Sequence, residues 1–167
     1  GNQAKIAELV GTPGSAPAND RGAGFREVTD QHDGMTIVWS QSGNFTRTEG
    51  KKAFQAFLKS PEAKDINALY AHNDDMALGA IQAIKEAGLV PGKDILVVSI
   101  DGVKQAFKAM VDGDLNCTVE CNPMIGPQLF DLIEKLAAGE EVDRRVQIEE
   151  GVFTQDQAAE LLDKRVY

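Results

Sequence analysis

The sequence predicts an α/β fold, a doubly wound parallel sheet with helices on both faces. Three observations lead there. Short runs rich in β-branched residues alternate with stretches of helical spacing. Four of these units start about thirty residues apart, the length of a βαβ unit. Glycine stands where three of the helices should stop. The chain has 167 residues, enough for one core and marginal for two, so residues 1–167 are read as one α/β lobe.

The strand-like runs are Ile6 to Val10, Thr36 to Trp39, Ile66 to Tyr70, Ile95 to Ile100 and Leu115 to Val119. Helical spacing covers Ala18 to Asp30, Thr48 to Lys59, Asp74 to Ala87, Lys104 to Asp112 and Pro123 to Ala138. Gly88, Gly113 and Gly139 close three of these helices. Beyond Gly139, Val142 to Ile148 and Gly151 to Phe153 read as a further strand or two, and Gln155 to Lys164 as a surface helix. Thr154 with Gln157 three residues on fits a capping box for that helix.

Composition removes several classes of function. There are 17 Lys+Arg against 26 Asp+Glu, a formal net charge of −9, which repels nucleic-acid phosphates and anionic lipid headgroups. No apolar run approaches the roughly 20 residues of a membrane span, and no basic-then-apolar leader opens the chain. Cys117 and Cys121, four apart in a predicted strand, would sit about 13 Å apart, too far to bridge. With only His32 and His72 beside them they make no metal-ligand set, so neither metal nor cofactor is expected.

In an open parallel sheet ligands bind beyond the carboxyl ends of the strands. The residues there are strongly polar: Gly11-Thr12-Pro13-Gly14-Ser15 with Asn19-Asp20-Arg21, then Gln41-Ser42-Gly43-Asn44-Phe45, His72-Asn73-Asp74, Asp101-Gly102 and Glu120-Cys121-Asn122. Each has a plain local account. Asn73 or Asp74 suffices as a helix N-cap, Asp101-Gly102 as a turn, Phe45 as core and Arg21 as a solvated helix face. Together, a guanidinium, an aromatic ring, a carboxamide and a carboxylate supply multidentate hydrogen bonding and a flat apolar face. A polyhydroxylated molecule such as a sugar requires that combination. Catalytic readings fare worse: the Gly11 loop lacks phosphate-loop spacing and Pro13 removes a donor. Ser15 and Ser99 lack the nucleophile elbow, one histidine beside a helix start is a weak general base, and Asp74 and Asp75 point to different sides of a helix. An enzyme is not expected.

The blocks ELVGTPGSAPANDRGAGF, SQSGNFTR, YAHNDDMALGAIQAIKEAG, SIDG and TVECNP, in this order, closely resemble the sugar-binding periplasmic proteins of bacterial ABC importers, nearest their ribose/galactofuranose-type group. The resemblance implies a periplasmic, two-lobed clamshell of about twice this length that closes on a monosaccharide and docks on a membrane permease. This chain then looks like the second lobe, a fragment without the first. The segment 122–140 is expected to cross to that first lobe, its stripe of Ile125, Leu129, Leu132, Ile133 and Leu136 seeking a partner, with self-association as one consequence.

Carried over from the family, Arg21 of NDRG is the arginine that forks onto sugar oxygens and Phe45 of GNFTR the stacking aromatic. Asn73 of AHNDD and Asp101 of SIDG take the remaining hydroxyls. Ribose-type relatives carry glutamine where this chain has Cys121 after Glu120, which points to another pentose or a hexose, including a furanose. The alternative is the sugar-sensing domain of a LacI-type regulator, which shares the lobe architecture. Residues upstream of Gly1 would separate the two, as a signal peptide or as a DNA-binding helix-turn-helix.

Overall fold

The computed structural model describes residues 3–167. Its single sheet runs in the order β2-β1-β3-β4-β5-β6. The strands are β1 (Ala4–Val10), β2 (Met35–Ser42), β3 (Ala68–Ala71), β4 (Leu96–Asp101), β5 (Cys117–Glu120) and β6 (Val152–Thr154). The helices are α1 (Ala16–Thr29), α2 (Arg47–Phe57), α3 (Asp74–Glu86), α4 (Lys104–Val111), α5 (Gly126–Ala137) and α6 (Gln155–Leu161). β1 to β5 are parallel and β6 returns antiparallel to β5.

From β1 the chain steps outward to β2, then crosses back to β3, so its direction reverses between β1 and β3. Right-handed crossovers therefore put α1 on one face and α2, α3 and α4 on the other. The side chains of β1 sort accordingly. Ala7 and Leu9 join the core of Phe54, Phe57, Met76, Ile84 and Phe107, while Glu8 meets Arg26 of α1. Trp39 stacks on Phe57 with ring centroids 4.4 Å apart; on the opposite face Phe25 stacks on Tyr70 at 4.0 Å.

Side-chain caps start the helices that carry the site. Ser15 Oγ accepts from the Ala18 N–H at the head of α1, Thr46 from Glu49 at α2, and Asn73 from Met76 at α3, each satisfying an otherwise orphaned amide. Gln157 reaches back to accept from the Thr154 N–H at 3.0 Å, as the capping-box spacing leads one to expect. Cys117 and Cys121 are both free thiols.

Two expectations are corrected. Residues 142–148 form no strand and are mostly exposed. The run pairs with no strand, and the antiparallel place beside β5 is filled by β6. The fifth helix begins at Gly126, not Pro123, because Asn122 Oδ1 accepts from the Met124 N–H at 2.8 Å and forms a local turn first. None of the residues of α5 is buried, and Met124, Ile125, Leu129, Phe130, Ile133 and Leu136 are 43–66 % exposed. A second apolar surface lies open between α1 and strands β3 to β5, a groove of about 510 Å³ lined chiefly by Phe25, Val28, Tyr70, Val98, Ile100 and Val119.

α2 and α3 pack backbone against backbone through two glycines. A Cβ on Gly79 would lie 2.2 Å from the Arg47 carbonyl oxygen, and one on Gly50 2.8 Å from Met76 Cα. Gly79→Ala should therefore destabilise the fold by about 1–3 kcal/mol through overpacking, despite alanine's better helix propensity. A urea melt with an unchanged or raised midpoint would contradict this packing.

Candidate ligand-binding site

The residues beyond the strand ends form a connected rim. After β2 the chain turns through Asn44 and Phe45 at φ 51° and 58°, the left-handed region that bulky side chains avoid. Ser42 Oγ accepts from the Asn44 N–H at 3.1 Å and donates to the Gly11 carbonyl at 2.8 Å, tying this turn to the end of β1. The Phe45 ring then lies directly on Gly11, where a Cβ would come within 2.0 Å of Cζ. Only glycine fits beneath it. Asn73 Nδ2 donates to the Phe45 carbonyl at 3.2 Å while its Oδ1 caps α3 at 3.0 Å. Asn73 thus holds the turn that presents Phe45.

Arg21, in the second turn of α1, completes the rim. Its Nη1 donates to the His72 carbonyl at 2.5 Å and its Nη2 to Asp101 Oδ1 at 3.1 Å. Its guanidinium carbon lies 5.7 Å from the Phe45 ring centroid. Asp101 has φ 129°, a strained backbone of the sort found at functional sites, and is followed by Gly102 at φ 75°, which glycine adopts freely. Burial raises the Asp101 carboxyl to about 6; the Arg21 charge opposes that rise, and the charges of Asp74 and Asp75 add to it. The structure brings all four sequence-predicted residues, Arg21, Phe45, Asn73 and Asp101, into one chain of contacts at the reversal point of the sheet. The Arg21 and Asp101 side chains remain 16 % and 28 % exposed.

Two buried acids support this rim from below. Asp74, fully buried, accepts from Ser99 and Thr118 through Oδ1 and from the Val103 N–H through Oδ2. Burial raises its carboxyl, against those hydrogen bonds. Thr118 also accepts from the Gly102 N–H at 3.2 Å, so the Asp101-Gly102-Val103 turn rests on Asp74. Beside His72, Glu8 is equally buried and binds Arg26, Ser40 and the His72 ring. Burial alone would push Glu8 up, but hydrogen bonds from His72, Arg26 and Ser40 hold it down at about 2.

Reading the sequence missed both roles. Asp74 passed for a helix-end charge, and Glu8 was not singled out within its strand. One signal was available: in a parallel sheet covered on both faces, an acid inside IAELV has no solvent to face.

The residues considered for catalysis are committed elsewhere. Ser15 caps α1, Ser99 donates to Asp74, and His72 is fully buried between Gly11 and Glu8. Among the described residues no group of His, Cys, Asp and Glu could hold a metal ion. Cys121 is exposed and its N–H donates to the Asp101 carbonyl at 3.1 Å. Glu120 turns away to Arg165 and Tyr167. Arg165 in turn lies over the rings of Phe107, Phe153 and Tyr167 and donates to the Gly102 carbonyl at 2.6 Å. That cluster locks the carboxyl-terminal tail beneath the Asp101 turn.

Known proteins are similar to this chain in sequence and in fold. The chain is 44 % identical over 167 residues to the galactofuranose-binding protein YtfQ of Escherichia coli (strain K12), covering 99 % of this chain and 52 % of that protein. It is 38 % identical over 147 residues to the ribose import binding protein RbsB of Bacillus subtilis (strain 168), covering 87 % and 46 %. Among solved structures, the periplasmic binding protein component of the arabinose ABC transporter from Shewanella sp. ANA-3, bound to α- and β-L-arabinofuranose, superposes with a TM-score of 0.92. The two are 49 % identical, over 98 % of this chain and 55 % of that one. The chain thus spans about half the length of the relatives it matches. Residues 1–141 match the family described as periplasmic binding protein domain, and with this fold and these relatives the chain belongs to that family.

Proposed function

We propose that this chain is one lobe of the solute-binding component of an ABC sugar importer, which holds a monosaccharide between two lobes by hinge closure and delivers it to a membrane permease from the periplasm. The reading is one of binding, without chemistry on the ligand. The observation that carries it is the rim, where a guanidinium, a phenyl ring, a carboxamide and a carboxylate meet at the reversal point of the sheet. Arg21 has two of its five N–H groups engaged within the protein, and the remaining three are available to ring and hydroxyl oxygens. Phe45 offers its face to sugar C–H groups. Asp101 accepts hydroxyl hydrogens, and Asn73, which keeps one N–H beyond its bond to Phe45, supplies a donor.

A furanose is the favoured ring form. Relatives named for galactofuranose and arabinofuranose, and a Mycobacterium smegmatis structure in complex with β-D-fucofuranose, are 44–49 % identical to this chain. The second lobe is supported by two unpartnered apolar surfaces, the outer stripe of α5 and the groove beside α1. In this reading residues 122–140 cross to the other lobe. On its own, the chain places α5 against a second copy.

Half a cleft binds weakly. Calorimetry of this chain with methyl β-D-galactofuranoside or L-arabinose should give a millimolar dissociation constant, about −4 kcal/mol, and Arg21→Gln should abolish the signal. Micromolar affinity, or an unaffected Arg21→Gln, would speak against the assignment. Sedimentation equilibrium should find dimers at high concentration that Leu129→Asp with Ile133→Asp returns to monomers; a monomer throughout would remove the role given to α5.

The acid at the rim is kept at a cost to the fold. Its folded value of about 6 lies above the model-peptide value of 3.8, so wild-type stability from this group is complete below the lower value and is lost as pH rises through the upper one. Asp101→Asn, which does not titrate, should therefore gain stability relative to wild type between pH 4 and 7 and then level off. Sugar affinity of the wild type should fall as pH drops below about 6. A stability difference that is flat or of opposite sign over this range would contradict the position of Asp101.

A further inference from the structure

The carbonyl that holds Arg21 belongs to His72, and that residue reaches three parts of the rim at once. Its carbonyl accepts from Arg21 Nη1, its Nδ1 accepts from the Gly11 N–H at 3.3 Å, and the next residue is Asn73. Gly11 is the seat of the Phe45 ring. Since Nδ1 faces an amide hydrogen, the ring proton sits on Nε2 and points at Glu8 Oε1, 3.2 Å away. Glu8 therefore selects the tautomer and the ring plane.

A buried carboxylate is an expensive way to hold a strand together, since apolar residues of like volume serve stability as well or better. Glu8 nevertheless occupies the centre of β1, between Ala7 and Leu9, with no exposed surface. Arg26 and Ser40 keep it ionised and oriented at 2.8 and 2.6 Å. Its fourth contact is the one directed at the rim. We propose that Glu8 is a positioning residue for the ligand site, acting through His72 to fix the carbonyl that aims Arg21 and the Gly11 amide on which Phe45 rests. Its ligand consequence rests on the sugar-binding reading above; its structural consequence does not.

Glutamine at this position separates the two roles. Its oxygen can still accept from His72, but its amide hydrogens then oppose the donors of Arg26 and Ser40. Glu8→Asp keeps the charge for Arg26 and Ser40 and withdraws it from His72 by about one C–C bond, roughly 1.5 Å. Ser40→Ala removes a contact of Glu8 that does not lead to the rim.

The test is nitrogen-15 NMR of the chain without ligand, reading the His72 ring nitrogens and the Arg21 guanidinium, followed by titration with methyl β-D-galactofuranoside. In the wild type a single Nε2-protonated ring and resolved Arg21 signals are expected. Glu8→Asp should broaden or shift the Arg21 signals and weaken binding about tenfold, while Glu8→Gln, which keeps the His72 contact, and Ser40→Ala lower the melting temperature and keep binding within twofold. Unchanged Arg21 signals in a folded Glu8→Asp variant would overturn the proposal. An equal disturbance by Ser40→Ala would reduce Glu8 to a structural residue and overturn it too. A wild type that binds no furanoside would instead overturn the sugar reading, and the ligand-free signals would still decide the role of Glu8.

Discussion

The site depends on one guanidinium. Arg21 leaves the second turn of α1 and joins the end of β3 to the end of β4 through the His72 carbonyl and the Asp101 carboxylate, with the Phe45 ring beside it. Four loops separated by up to eighty residues thereby become a single surface. This is possible because chain direction reverses between β1 and β3, which opens a gap at the carboxyl ends of the strands where no crossover connection runs. A side chain from α1 can enter that gap, and a planar fork of donors can meet two acceptors in it at once.

Holding that surface in shape costs stability, and the structure places the cost where it does least damage. Asn44, Phe45 and Asp101 take backbone conformations that L residues avoid, and each is fixed by hydrogen bonds from a neighbouring strand or helix. One layer down, two fully buried acids bear the load, Glu8 against His72 and Asp74 beneath the Asp101 turn. Every oxygen of these two acids has a hydrogen-bond donor, which is the condition under which a buried charge survives. The apolar core lies on the other face, around Phe54, Met76 and Ile84. Stability is generated there and spent at the rim.

Much of this was legible in the sequence because strand and helix periods differ and glycine marks the helix ends. The order of elements and the strand-end positions of Arg21, Phe45, Asn73 and Asp101 followed from that alone. Strand limits were less legible: β2 runs on through Ser40, Gln41 and Ser42, since backbone pairing does not stop where apolar side chains do. Val142 to Ile148 looked like a strand and is not one, because a strand needs a pairing partner, and no local pattern of apolar residues reports whether one is met. Glu8 escaped notice for a related reason. Its partners Arg26, Ser40 and His72 come from three other elements, and a charge is identified as buried only once those elements are assembled around it.

A crystal structure of this chain soaked in concentrated methyl β-D-galactofuranoside tests the central claim most directly. The account predicts the furanose ring lying on the face of Phe45, with its oxygens within hydrogen-bond reach of Arg21 and Asp101. A sugar found only elsewhere on the molecule, with these side chains unmoved and uncontacted, would contradict it.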